Sequence, residues 1–347
     1  MRARAKRWVQ RVAGFGALAL VAAAPAPGEQ RDVVFTEVSP LSSNAELLRR
    51  ALSPIAAAQV QAKLDAEHAA LADQPVDPTR ERFTLVVPPT APEKGYGLIV
   101  FVSPLAEAEP PPGWAAVLAR RGMIFTAAER SGNDQQVVGR REPLAILAAV
   151  NAMRRYPVDP ARVYIGGISG GARVAMKLAL AYPDLFKGAL LNAGSDPIGE
   201  LGTPIPPRSL FEAFQAGSRL VYVTGTADEA AQADDAASQR SMKAFCVFDV
   251  AVQPMAGAGH EAASPAQLDR ALATLDAPAQ GDAGKLAACR QGLDAEIAAR
   301  LDRVEALLTA GKRGEAAKLL ADTDRRYGGL AAPRSVELWR KGAYTPD

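Results

Sequence analysis

Residues 163–180 read VYIGGISGGARVAMKLAL. An apolar run, VYIGG, leads into a glycine-flanked serine, and a helix-forming run with small residues at Gly171, Ala172 and Ala175 leads out. Gly167 to Gly171 matches the pattern G-x-S-x-G. Alone the match is a weak signal, since ordinary composition yields it about 0.1 times in a chain of this kind. Its setting gives it content. A strand–turn–helix of this type holds the hydroxyl of Ser169 clear of the backbone. A Cβ at Gly167 or Gly171 would meet the neighbouring strand or helix. The turn also aims the amide N–H of Gly170, at the helix N-terminus, at the point where an oxyanion would form.

A serine hydroxyl stays protonated at neutral pH and needs a base. The chain has two histidines, His68 and His260. His68 falls among alanines and charges in an expected helix, a place for packing or solvation. His260 sits in GAGHEAA, a glycine loop between the last expected strand and a helix. The imidazole in turn needs an acid to fix its tautomer and steady its cation. Asp228, in GTADE just past the run RLVYVTG, is the candidate; its structural alternative is a helix N-cap. Glu229 beside it and Asp196 in GSDPIG are rivals. The order Ser169, Asp228, His260 along the chain is that of α/β-hydrolase triads.

Outward from the turn, strands and helices alternate. Apolar runs predict strands at 82–88, 97–104, 122–128, 163–166, 188–194, 219–225 and 247–255. Helical spacing predicts helices at 53–72, from Trp114, at 143–156, 171–182 and 265–275. Ser53 suits an N-cap and Pro54 a first helical position. The pattern implies an α/β fold with a mostly parallel sheet and helices on both faces. Beyond a linker near Asp276, apolar residues from Leu286 to Leu308 recur every three or four positions, and a second helix and a short third one follow. This C-terminal helical hairpin resembles one tetratricopeptide-type unit, which cannot bury its own face and is expected to dock on the body. The expected organisation is an address at 1–27, an N-terminal helical segment at 28–80, a catalytic domain at 81–276 and the helical appendage at 284–347.

The chain has 347 residues, 48% of them hydrophobic and 22% charged, which is too apolar for disorder. Residues 1–27 hold five basic groups (Arg2, Arg4, Lys6, Arg7, Arg11) and no acid, so the +2 of the whole chain leaves the remainder at −3. A mildly acidic body argues against a nucleic-acid partner, and two histidines with two cysteines argue against most metal sites. The apolar stretch 12–24 is shorter than the roughly 20 residues a membrane span requires. With its basic start and small-residue end it reads as a secretory signal, implying a periplasmic or secreted protein with no membrane span in the mature chain. In an oxidising compartment Cys246 and Cys289 would pair, constraining the unfolded chain by about 3–4 kcal/mol; as buried free thiols the two positions are equally comfortable.

The stretches VDPARVYIGGISGGARVAMKLALAYPDLFKGALLNAGS (158–195) and GAGHEAASPAQLDRALATLD (257–276) resemble polyhydroxybutyrate-depolymerase-like and feruloyl- or acetylxylan-esterase-like serine hydrolases. The resemblance covers roughly residues 82–276. It implies an α/β-hydrolase fold, no cofactor, an acyl-enzyme on Ser169, and a small-molecule or polymeric ester as substrate. One departure stands out. Such enzymes usually carry His-Gly after the strand equivalent to GLIVFVS, where this chain has Ser103-Pro104. Pro104 has no N–H, so the second oxyanion donor falls to Leu105 or a neighbour. In the loop ERSGND after strand 122–128, Arg130 and Asn133 are candidates to orient substrate, with a plain solvated loop as the alternative. Trp114 reads as a packing residue. The expected function is an exported serine carboxylesterase. A peptidase or amidase of the same fold, and a non-catalytic exported binding protein on a degenerate hydrolase scaffold, remain as alternatives.

Overall fold

The computed structural model describes residues 28–343, apart from 201 and 280. The expected signal at 1–27 lies outside the described residues. The elements follow in chain order: β1 Gly28–Val33, α1 Asn44–Ala51, α2 Pro54–Ala66, β2 Phe83–Val87, β3 Tyr96–Val102, α3 Trp114–Arg120, β4 Met123–Ala128, α4 Glu142–Arg155, β5 Val158–Ile168, α5 Gly170–Ala181, β6 Gly188–Asn192, α6 Arg208–Gly217, β7 Arg219–Val223, α7 Glu229–Ala244, β8 Val250–Val252, α8 Pro265–Asp276, α9 Ala283–Thr309, α10 Arg313–Tyr327 and α11 Arg334–Leu338. One sheet takes the eight strands in the order β1-β2-β4-β3-β5-β6-β7-β8. The pairs β1–β2 and β2–β4 are antiparallel and the remaining five are parallel.

Strands β3, β4, β6 and β7 are buried along their whole length, which is why they read as unbroken apolar runs instead of alternating ones. One face of the sheet is covered by α3 and α8, through Trp114, Val117, Leu118, Leu268 and Leu272. The other face carries α4 and α5, and its apolar core runs on into the C-terminal helices through Ile297, Leu301, Val304 and Tyr327. The longest strand, β5, lies near the middle of the sheet and ends at Ile168, so Ser169 emerges at the carboxyl edge. That is the edge at which open parallel sheets bind ligands.

The structure differs from the sequence reading in several places. The sheet begins well before residue 81, because β1 pairs along β2 as an edge strand. Its residues are mostly exposed, so GEQRDV carries no alternation to betray it. The segment 28–80 is therefore not purely helical. Helix α2 stops at Ala66 instead of continuing to Ala72; residues 65–71 are exposed, and His68 takes a positive φ of 49° in the turn beyond. The last strand shrinks from the expected 247–255 to Val250–Val252. Cys246 lies in the turn after α7, at φ 62°. Helices α6 and α7 are additions to the sequence reading, although α6 carries helical spacing at Leu210, Phe211 and Phe214. The sequence of α7, EAAQADDAASQRSMKA, is rich in polar residues and buries only Ala231, Asp235, Ser238 and Met242.

The C-terminal helices dock on the body through polar as well as apolar contacts. Asp324 of α10 accepts the Ile55 N–H at 3.2 Å and the Ser53 hydroxyl, adding an acid to the N-terminus of α2. Arg208 donates to Leu330 O at 2.8 Å, and the Phe245 and Tyr327 rings meet edge-on at 6.1 Å. Cys246 and Cys289 are joined in a disulfide that closes 43 positions of chain. Reducing it is expected to lower stability by about 4 kcal/mol on the chain-entropy model. Denaturant midpoints of the oxidised protein and of a Cys246→Ser/Cys289→Ser variant would check this. Among the described residues no helix is long and apolar enough to cross a membrane.

Candidate active site

Ser169 occupies the turn between β5 and α5 with φ 55° and ψ −126°. A non-glycine residue rarely adopts such a backbone, and where it does the surrounding structure must hold it there. The reason is crowding around the turn. A Cβ at Gly171 would lie 1.9 Å from Val102 O, and one at Gly167 would lie 2.4 Å from Gly171 C. Helix α5 thus starts against β3, leaving the serine no relaxed alternative. Ser169 stands at the N-cap position of α5, yet its hydroxyl makes no capping bond. The carbonyl of Ser169 accepts from Ala172 and Arg173, and its N–H goes to Asn192 O at 2.9 Å.

Asp228 lies five residues beyond the end of β7, and its two carboxylate oxygens do different things. Oδ2 is 2.6 Å from His260 Nδ1, and Oδ1 accepts the Ala231 N–H at 3.2 Å, capping α7. Asp228 therefore caps α7 and contacts His260 at once. Desolvation opposes its ionisation, but the His260 bond and the Ala231 N–H outweigh it and keep the carboxyl below its ordinary range. The His260 side chain is 52% exposed. Asp196 instead pairs with Arg173 at 3.4 Å, and Glu229 is an exposed first-turn residue of α7. His68 lies in its exposed turn after α2.

No hydrogen bond joins Ser169 Oγ to His260 among the described residues. The two segments are instead tied through Asn192, at the carboxyl end of β6 and fully buried. Its carbonyl takes the Ser169 N–H. Its side-chain Nδ2 donates to Val223 O at 2.9 Å and Glu261 O at 3.0 Å, and its Oδ1 accepts the Ala263 N–H at 2.7 Å. Through its backbone carbonyl Asn192 holds the serine turn, and through its side-chain amide it holds the end of β7 and the loop carrying His260. Trp114, with no exposed surface, donates to Ala263 O at 2.8 Å and secures the same loop.

Two loops lie over the Ser169 turn. The Gly170 N–H lies in the first turn of α5. The Leu105 N–H donates to Ser103 Oγ at 3.0 Å, and the Leu105 side chain is mostly exposed. Asn133 lies directly over the turn. A Cβ built on Gly170 would be 2.3 Å from Asn133 Oδ1 and 3.0 Å from Nδ2. Arg130 is turned away, donating to Arg80 O and Glu81. The two loops are fastened by backbone bonds from Asn133 to Pro104 O and from Arg130 to Ala106 O. Arg141 adds a buried clamp, donating to Ser131 O at 2.9 Å and Ser103 O at 3.0 Å. Asn192 and Arg141 escaped the sequence reading. The one available hint was a polar residue closing the apolar run GALLN.

The mostly parallel sheet of this order, with helices on both faces and the Ser169 turn after β5, is an α/β-hydrolase-type fold. No family model matches the chain. A stretch of 95 residues is 32% identical to poly(3-hydroxyalkanoate) depolymerase C of Paucimonas lemoignei; it makes up 24% of this chain and 23% of that protein. The chain thus spans about a quarter of that relative's length. Among solved structures, S-formylglutathione hydrolase of Staphylococcus aureus is similar at 12% identity with a TM-score of 0.45, over 57% of this chain and 93% of that one. Est1E of Butyrivibrio proteoclasticus is similar at 18% identity with a TM-score of 0.39, over 55% and 91%.

Proposed function

We propose that this chain is an exported serine hydrolase that cleaves a carboxylic ester through an acyl-enzyme on Ser169. The observation that carries the reading is the 2.6 Å contact between Asp228 and His260, on a loop tied by Asn192 to a serine whose hydroxyl no cap engages. His260 Nε2 takes the Ser169 proton as Oγ attacks the carbonyl, while Asp228 holds the Nδ1 proton and steadies the imidazolium. The tetrahedral oxyanion collapses, and the alcohol leaves with the proton from His260. Water then attacks the acyl-enzyme by the same steps and releases the acid. Catalytic contacts often tighten only when substrate is bound, which fits a serine and histidine not yet joined. The ester class is supported by the depolymerase likeness, and export by the basic and apolar character of residues 1–27.

The oxyanion is held by the Gly170 N–H and, in this reading, by the side-chain amide of Asn133, because Pro104 has no N–H and that of Leu105 is engaged by Ser103. Asn133→Ala is expected to lower kcat by about 10²-fold with little change in KM. Asn133→Asp, which replaces the donor with an acceptor, should be no better. Steady-state kinetics on a short-chain p-nitrophenyl ester read both. The reading as a whole is tested by a fluorophosphonate probe followed by mass spectrometry. Label on Ser169 supports it. An unlabelled serine in folded protein favours the binding-protein alternative, which the engaged Leu105 N–H keeps in view.

A further inference from the structure

One cavity of the fold lies away from Ser169. It has a volume of about 560 Å³ and lies where α1 and α2, the α4–α5 face and α10 come together. Neither Ser169 nor Asp228 nor His260 lines it. Its nearest charged residue on α5, Lys177, is eight positions beyond Ser169, about 12 Å along the helix. The volume falls in the range of small-molecule sites. The walls are mainly apolar and include Leu52, Ile55, Val137, Leu178, Ala181 and Pro204.

Two polar groups in this cavity lack partners. Glu142, at the start of α4, is 3% exposed, and its Oε2 has no hydrogen bond. Burial pushes its carboxyl up to about 7, against the pull of Lys177, so the protonated form, which can donate, persists to higher pH than in an exposed carboxyl. Lys177 is half-buried, with its ammonium facing Gly202, and has no hydrogen bond or ion pair among the described residues. The other charged linings are committed or solvated. Arg50 is held by Asp184 and Glu46, Asp324 by Ser53 and the Ile55 N–H, and Arg325 by Asp322. Glu200 is exposed.

We infer that this cavity is a second binding site, taking a monocarboxylate with an apolar chain whose head group lies between the Lys177 ammonium and the Glu142 carboxyl. Lys177 supplies the positive charge that selects an anion, and Glu142 supplies a proton donor to it. A ligand ammonium would meet Lys177 as a like charge, and a neutral alcohol would leave that charge unanswered. The chain of the ligand would lie along the aliphatic wall, away from water.

Calorimetric titration of the full chain near pH 6.5 with octanoate, octan-1-ol and octylamine tests this. Octanoate is expected to bind one to one, at least about tenfold tighter than the other two. Lys177→Met should weaken octanoate by about tenfold or more. Glu142→Gln keeps a donor and should stay within about threefold of the parent, while Glu142→Leu should lose binding; thermal melts confirm that each variant is folded. Ser169→Ala should bind octanoate as the parent does, which separates this cavity from the serine site whether or not that site is catalytic. The inference is overturned if octanoate does not bind, if octylamine binds better, if Lys177→Met binds octanoate unchanged, or if Ser169→Ala abolishes binding.

Discussion

Ser169→Ala is expected to remove ester hydrolysis, by about 10⁶-fold in kcat if the serine acts as the nucleophile of a cooperating triad. The same substitution should leave the fold almost untouched. A serine at an N-cap normally stabilises its helix through the hydroxyl, and loss of such a cap costs about 1 kcal/mol. Here the hydroxyl makes no capping bond, so a stability change within about 0.5 kcal/mol is expected. Activity toward a p-nitrophenyl ester and a urea melt, measured on the same preparation, read the two effects separately. Full turnover in the variant would remove Ser169 from the chemistry. A large loss of stability would mean that the residue serves the turn more than the reaction.

Asp228→Asn should lower kcat by about 10⁴-fold while keeping most of the stability. Asparagine caps a helix about as well as aspartate, so the bond that Oδ1 accepts from Ala231 survives. The partner of His260 Nδ1 does not. An amide N–H facing the ring favours the tautomer protonated on Nε2, which cannot accept the serine proton. Asp228→Ala removes the cap as well and should lose about a further 1 kcal/mol. The carboxyl is held below its ordinary value, so its contribution to stability is present above the unfolded-state value near 4 and fades as the pH falls through the lower folded-state value. The stability gap between parent and Asp228→Asn should therefore narrow between pH 6 and pH 3. A gap constant across that window would show that the carboxylate gains nothing from its partners in the folded state.

These two expectations separate the parts of the site that chemistry needs from those that position them. Asn192 and Arg141 touch no reacting atom. Asn192 bonds to three segments at once, and Arg141 joins the loop after β3 to the loop after β4. Their buried amide and guanidinium groups are stable there because the polar atoms they use find backbone partners.

The chain's own pattern was enough to locate the serine turn, the alternation of strands and helices, and the two residues placed in order after it. Those features are local. Backbone sterics dictate the glycines around Ser169, burial on both faces dictates the unbroken apolar strands, and a chain with two histidines leaves few choices of base. The edge strand β1 and the polar helix α7 escaped, and the last strand was drawn too long, because each has at least one face in water and lacks the periodicity that burial imposes. The contacts among Asn192, Arg141, Asn133 and their partners, and the cavity over Glu142 and Lys177, were decided by the tertiary structure alone. Each depends on groups far apart in sequence arriving within a few ångströms of one another. A linear pattern records which side chains are apolar or charged, but whether a buried amide finds its three partners, or a buried acid is left with none, is fixed only when separate segments close around it.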